Sequence, residues 1–346
     1  MSMSVRMLAA GTALTLAGGL MAGSAVAEPT GDTRADTRTT TPEAPPSATT
    51  VARRIDDHGA KGQRVADYWT PARMAAAKPA DQKARPGDLQ RMARIPKDER
   101  VAPGTGAKPI AGDVDKGSDT ARKTYSRRVG KMFYKFGKQN WVCSGAVVNS
   151  KKKNMVFTAA HCLWDKKKKW AKKVMFVPGY KKGKRPYGTY YAKLTAIPKR
   201  WKKWGGRSEL PQADYGIMLV KKVGGGKRIA RRVGAYGLQW GRKFKRKYKA
   251  TGYPAFRTGG GVQKSCKARG HKWKKYSNPK AGWGLVRMPC RAVTGGSSGG
   301  PWLHKGYING QNALVNSFKK PRWVATPWFA GGVKKLYRAY RNKNPK

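Results

Sequence analysis

From residue 125 onward the sequence is cut into apolar runs too short to build helices. They cover 132–136, 141–148, 155–160, 174–177, 187–197 and 217–220, then 233–238, 248–253, 262–266, 283–288, 307–308 and 313–315. Glycines, prolines and lysine clusters such as 166–169 separate them. Short runs between turn signals specify many short strands, so the fold class is all-β, a barrel or a sandwich. The break Gly224-Gly225-Gly226 lies near the middle of this region and divides the runs into two similar sets, which favours two barrels. The stretch 187–197 alternates only in part and is the weakest strand. At the far end the period changes. Phe329, Val333, Leu336, Tyr337 and Tyr340 fall at helical spacing with Lys334, Lys335, Arg338 and Arg341 between them. This predicts a C-terminal helix at about 327–341 that packs across a barrel, since its apolar stripe is narrow for a membrane face.

The preceding 120 residues read differently. Arg6, an apolar stretch at 7–21 and Ala25-Val26-Ala27 form a signal peptide, residues 1–27, with cleavage after Ala27. Its core is about 15 residues long and broken by glycine, short of a membrane span, and nothing later is long and apolar enough for one. Residues 28–50 are rich in Thr, Pro, Ala and Asp; 51–120 are mixed polar, with prolines at 71, 79, 86, 96, 103 and 109. Such a composition offers little to a core, and a flexible linker and a propeptide fit 28–120 equally. The folded domain is then 121–346, with barrel one at about 125–225 and barrel two at about 230–325.

The formal net charge is +58, and it is unevenly spread. Residues 121–346 carry 58 of the 75 Lys and Arg but only three of the 17 acids, Asp165, Glu209 and Asp214. A surface of this kind binds polyanions non-specifically and repels its own copies, so the expected state is a monomer. It says nothing about the fold. The run His271-Lys272-Trp273-Lys274-Lys275 holds one indole among lysines, and reads as a solvated loop rather than a base-stacking platform.

All four cysteines, Cys143, Cys162, Cys266 and Cys290, lie in the basic region. Three pairings are open on paper; the local one, Cys143 with Cys162 and Cys266 with Cys290, is preferred. With the signal peptide, it points to an extracellular, oxidising compartment. No metal-ligand spacing occurs among them.

Three residues carry candidate chemistry. Ser298 lies in Gly295-Gly296-Ser297-Ser298-Gly299-Gly300, where glycines clear space and let backbone amides turn inward. The amides of Gly296 and Ser298 are the natural donors for a developing oxyanion. Of the four histidines, His161 alone ends a strand-like run, in Thr158-Ala159-Ala160-His161-Cys162. Asp214 borders the apolar run Ile217-Met218-Leu219, where an unpaired carboxylate is expensive to bury. Asp165 and Glu209 read as surface residues. Histidine, aspartate and serine together are the parts of a nucleophilic acyl-transfer site, which needs no cofactor or metal.

In these motifs, with Cys143-Ser144-Gly145, with Ser298 followed by Gly299-Gly300-Pro301, and in spacings of 53 residues from His161 to Asp214 and 84 from Asp214 to Ser298, the chain resembles the chymotrypsin-like serine peptidases. The branch is that of the secreted bacterial trypsin-like and V8-like enzymes, and the likeness covers roughly 125–340. It implies a double six-stranded antiparallel β-barrel with the C-terminal helix, His161 and Asp214 coming from the first barrel and Ser298 from the second. It implies an endopeptidase acting on protein or peptide substrates. It also puts Ala292, with Val293 next, at the floor of the primary pocket, and so a small or neutral residue before the scissile bond. Two departures stand out. Ser297 precedes the nucleophile where the digestive members have aspartate, and 315–318 hold no histidine of the kind that Glu-specific members use. The competing reading is an inactive protease-like scaffold that binds nucleic acid or other polyanions.

Overall fold

A computed structural model describes residues 49–55, 63–80, 101–113, 125–165, 169–204, 211–278 and 283–345. The signal peptide expected at 1–27 lies outside them. Three short strands come from the leader: β1 (Thr50–Arg54), β2 (Lys78–Pro79) and β3 (Gly104–Ala107). The first half of the domain then contributes β4 (Val129–Phe136), β5 (Gln139–Val148), β6 (Met155–Thr158), β7 (Lys172–Pro178), β8 (Tyr190–Pro198) and β9 (Gly216–Lys222). These six pair antiparallel in the order β8-β7-β4-β5-β6-β9, and β9 returns to β8, so the ring is closed.

Alternation along the strands sorts their side chains into two cores. Val129 and Phe133 of β4, Ile217 and Leu219 of β9 and Phe157 of β6 join one cluster with Tyr253, Ile308 and Phe329 of the second half. Met132, Tyr134, Val156, Met218 and Val220 point the other way into a second cluster. The partial alternation at 187–197 has a physical origin. A register shift against β9 between Ala192 and Leu194 reverses the phase. Tyr190 and Ala192 therefore face one core, and Leu194 and Ala196 the other. An inserted residue of this kind turns a strand over without ending it.

The second half contributes β10 (Gly237–Trp240), β11 (Lys247–Gly252), β12 (Lys264–Arg269), β13 (His271–Asn278) and β14 (Trp283–Pro289). After the candidate nucleophile loop come β15 (Pro301–His304), β16 (Tyr307–Gln311), β17 (Leu314–Val315) and β18 (Trp323–Pro327). They form two sheets, β12-β11-β15-β16-β10-β3 and β13-β14-β18-β17. Among the described residues the pairing closes no second ring. The chain changes sheets at Gly270, where a Cβ would stand 2.7 Å from the Tyr248 ring, and β17 is only two residues long. The expected loop at 271–275 is part of β13, with Trp273 edge-on to Trp323 at 4.7 Å.

The C-terminal helix is Gly331–Tyr340. It starts later than the sequence pattern indicates, because β18 runs to Pro327. Phe329 still joins the same core, 5.2 Å from Phe157, and the helix buries Val333, Leu336, Tyr337 and Tyr340 there. No helix among the described residues is long and apolar enough to cross a membrane.

The leader packs more than its composition indicates. β1 lies antiparallel on β8, β2 parallel to β5, and β3 antiparallel on β10. Val65 and Trp69, four apart on the helix Gln63–Tyr68 and its end, are buried in the first core with Met74, and the Trp69 indole donates to the Lys173 carbonyl at 2.7 Å.

Candidate active site

His161 sits in the 3-10 turn Ala160–Cys162 that follows β6, and is 7% exposed. It is pinned on both sides. Thr158 donates its hydroxyl to the Ser144 carbonyl at 2.9 Å, and Cys162 is bonded to Cys143 of β5. Asp214 follows the turn Pro211–Ala213 just ahead of β9 and is fully buried. Because β6 and β9 are neighbours, with Thr158 opposite Gly216, residues 53 apart in sequence meet. The Asp214 Oδ1 accepts from the His161 backbone N–H at 2.9 Å, and Oδ2 faces His161 Nδ1 at 2.7 Å. Both carboxylate oxygens therefore serve one residue. A buried carboxylate so placed orients the imidazole and keeps a proton on Nδ1. The Asp214 carbonyl in turn accepts from Gln311 Nε2 of the second half.

Ser298 lies on the loop between β14 and β15, 6% exposed. Its backbone carbonyl accepts from Ser144 N at 2.7 Å and stands 4.0 Å from Sγ of Cys162, the residue after His161. The loop is thus held against the edge of the ring that carries the histidine. Gly296 has φ +90° and Gly299 φ +79°, where side chains are strained. At Gly299 the approach also forbids one, since a Cβ would stand 2.2 Å from Thr158 Oγ1 and 2.4 Å from the Ser144 carbonyl.

Two residues to which the sequence assigns no role hold this loop. Ser144 donates its hydroxyl to the Gly296 carbonyl and accepts from Tyr253 N, both at 2.9 Å. Asn312 donates Nδ2 to the Ser297 and Thr251 carbonyls at 2.9 Å and accepts from the Trp302 indole at 2.9 Å. Ser144 stands in a noticed motif, Cys143-Ser144-Gly145, but Asn312 has no local signal at all.

The other candidate residues fall as follows. Val293 shares with Ser298, Leu314, Val315 and Val324 the wall of a cavity of about 10 Å³. Ala292 is outside that wall, its N–H facing Cys266 Sγ at 3.4 Å. Both disulfides have the local pairing, Cys143–Cys162 and Cys266–Cys290. His161 lies with Cys143 and Cys162 inside 4.8 Å, but these sulfurs are bonded to each other and hold no thiolate for a metal. Asp165 accepts from Lys169 N within its own exposed loop; Glu209 lies outside the described residues.

No family model matches the sequence, and no curated protein does. Solved structures do. Protease Anisep from Arthrobacter nicotinovorans is 31% identical, with a TM-score of 0.55 over 63% of this chain and 97% of its own. The thermostable serine protease AL20 from an extremophilic microorganism is 27% identical, with a TM-score of 0.55 over 63% of this chain and 99% of its own. HL collagenase shares the fold at 13% identity and a TM-score of 0.50, over 64% of this chain and 97% of its own.

Proposed function

Since the chain belongs to the chymotrypsin-like serine proteases, we propose that it is a secreted serine endopeptidase of the bacterial trypsin-like and V8-like branch, acting through His161, Asp214 and Ser298. The observation that carries this reading is the buried pair in which both Asp214 oxygens hold His161, at the edge of the ring that the Ser298 loop abuts. With Nδ1–H held by Asp214, the far nitrogen of His161 takes the Ser298 proton as the hydroxyl attacks a peptide carbonyl. The amides of Gly296 and Ser298 stabilise the oxyanion, and removal of one such donor costs about 3 kcal/mol in the transition state. His161 then protonates the leaving amine, and water releases the acyl group by the reverse roles. The uncharged wall that Val293, Leu314, Val315 and Val324 form beside Ser298 suits an uncharged side chain before the scissile bond.

Residues 28–120 are read as a propeptide region. Ala80 N donates to the Val142 carbonyl at 3.1 Å, and the Ala80 carbonyl stands 3.8 Å from Cys143 Sγ, in the disulfide next to His161. Leader backbone thus packs against the disulfide that neighbours the base. Serine at 297 rules out activation through an ion pair at that position. Two disulfides, with the signal peptide expected at 1–27, support secretion.

The test is labelling of the full chain with a fluorophosphonate probe, wild type beside Ser298→Ala. Stoichiometric labelling of wild type alone is the expected result. An unlabelled wild type that melts cooperatively would overturn the reading and favour a polycationic scaffold, whose polyanion binding would be the same in both proteins.

A further inference from the structure

A larger cavity, of about 610 Å³, is lined by Phe256, Arg257, Arg291, Lys319, Lys320, Pro321 and Arg322. Five of its seven lining residues are cationic and none is acidic. Phe256 is 44% exposed, an uncovered ring on the rim of the basin.

Every wall of this basin is tied by backbone to the loop that carries Ser298. Arg291 follows Cys290, which is fixed by its disulfide to Cys266. The 318–322 wall is joined twice, Gly295 N donating to the Phe318 carbonyl and Cys290 N to the Arg322 carbonyl, each at 3.1 Å. The Phe256 wall is joined once, Ala255 N donating to the Gly295 carbonyl at 2.6 Å. Inside the 316–322 turn, Asn316 Oδ1 accepts from Arg322 N at 2.9 Å and Trp323 N at 3.2 Å, and Ser317 Oγ accepts from Lys320 N at 3.2 Å. The cations therefore stand on braced backbone.

Resting on the protease reading, we infer that this basin is a substrate subsite for a carboxylate-bearing side chain close to the scissile bond. The enzyme then cleaves acidic peptides after a small residue, the neighbouring acid being read by the basin. A single exposed ion pair discriminates weakly, but several cations converging on one concavity focus the field and add up. The Phe256 ring and Pro321 give the methylenes of a glutamate an apolar surface to lie on. A lining without any acid distinguishes the basin from a site for basic residues.

The experiment uses the full chain and quenched-fluorescent peptides with alanine before the cleaved bond and Glu or Gln at each flanking position. A preference for Glu of about ten-fold or more in kcat/KM at one or more of those positions is expected. Arg291→Gln with Arg322→Gln, and separately Lys319→Gln with Lys320→Gln, should each reduce it to about two-fold or less. Lys151→Gln with Lys152→Gln, which removes the same charge from the exposed turn between β5 and β6, should leave it intact. Equal loss in that control would mean long-range attraction by the whole surface, and would overturn the subsite. So would a wild type indifferent to Glu. If one double variant does not fold, the other decides. Failure of the inference is separable from failure of the protease reading: wild type labelled by fluorophosphonate yet indifferent to Glu sinks the subsite alone, whereas wild type neither labelled nor cleaving any peptide sinks both.

Discussion

In the first half of the domain β4 to β9 pair into a ring, and His161 and Asp214 stand on adjacent strand ends of it, both buried. In the second half the strands split into two sheets, and Ser298 stands on a loop held by scattered backbone bonds and by the side chains of Ser144 and Asn312. A closed ladder has no free edge, so the position of each residue is set by the pairing of its neighbours on both sides. A loop held at points is set by those few contacts. The geometry of the histidine and aspartate is therefore a property of the whole ring, whereas the Ser298 loop and the cationic basin joined to it can change with a handful of residues.

The sharpest test of this contrast is Asp214→Asn. The ring survives the change, but the amide cannot accept with both atoms, and the imidazole loses the partner that fixes its tautomer. We expect kcat to fall about 10,000-fold, with KM and the melting curve changing far less. Steady-state kinetics on any cleaved peptide reads the first and calorimetry the second. A fall of less than ten-fold would mean that the ring does not position the base.

A second test compares the two disulfides. Their closed loops are of similar length, with separations of 19 and 24 residues, so chain entropy alone assigns each about 3 kcal/mol. Their surroundings differ. Cys143 and Cys162 are both fully buried in the ring, whereas Cys266 is only partly buried, on β12 at the edge of its sheet. Replacing Cys143 and Cys162 by alanine should therefore destabilise more than replacing Cys266 and Cys290, by about 1–2 kcal/mol for the packing lost around the sulfurs. Denaturant melts of the two double variants measure it. Equal losses would erase the contrast between a ring held throughout and an edge held at one point.

What the sequence disclosed follows the same division. His161 and Asp214 were legible because each is a rare residue type beside an apolar run, and the local cysteine pairing is the one observed. The leader strands were not. β1 is Thr-Val-Ala-Arg-Arg, and it joins β8 through backbone hydrogen bonds, which leave little trace in side-chain pattern. Val65 and Trp69 form a stripe of only two residues, too short to register as a helix face. The phase reversal in β8 hid a fully formed strand behind broken alternation. The split of the second half into two sheets depends on pairings between strands far apart in sequence, which no local pattern in β17 or β13 specifies. Asn312 illustrates the limit: its role comes from five polar contacts made across the fold, none of them near it in a motif.

A third expected effect, on stability alone, lies where the two halves meet. Lys131 of β4 is 4% exposed, with its ammonium 5.1 Å from the centres of the Phe133 and Tyr180 rings. Across from it is Gly260 of the second half, where a Cβ would stand 2.8 Å from Nζ. Burial pushes the Lys131 pKa down to about 8. In the unfolded chain the same amine titrates at about 10.4, so between about pH 8 and 10.4 the unfolded state binds the extra proton. Stability contributed by this group is therefore lowest below pH 8 and rises as pH climbs through that window, by up to about 3 kcal/mol before the ring contacts offset part of it. Lys131→Met removes the charge while keeping the length of the side chain. Below pH 8 the variant should be the more stable protein, and the difference should shrink as pH approaches 10. The many other lysines titrate in both proteins and cancel in the comparison. Denaturant melts of wild type and variant at pH 7, 8.5 and 10 give the difference directly. A difference that is constant with pH would mean the ammonium is already hydrated in the folded protein, and the junction between closed ring and open sheets would then be wetter than the rest of the core.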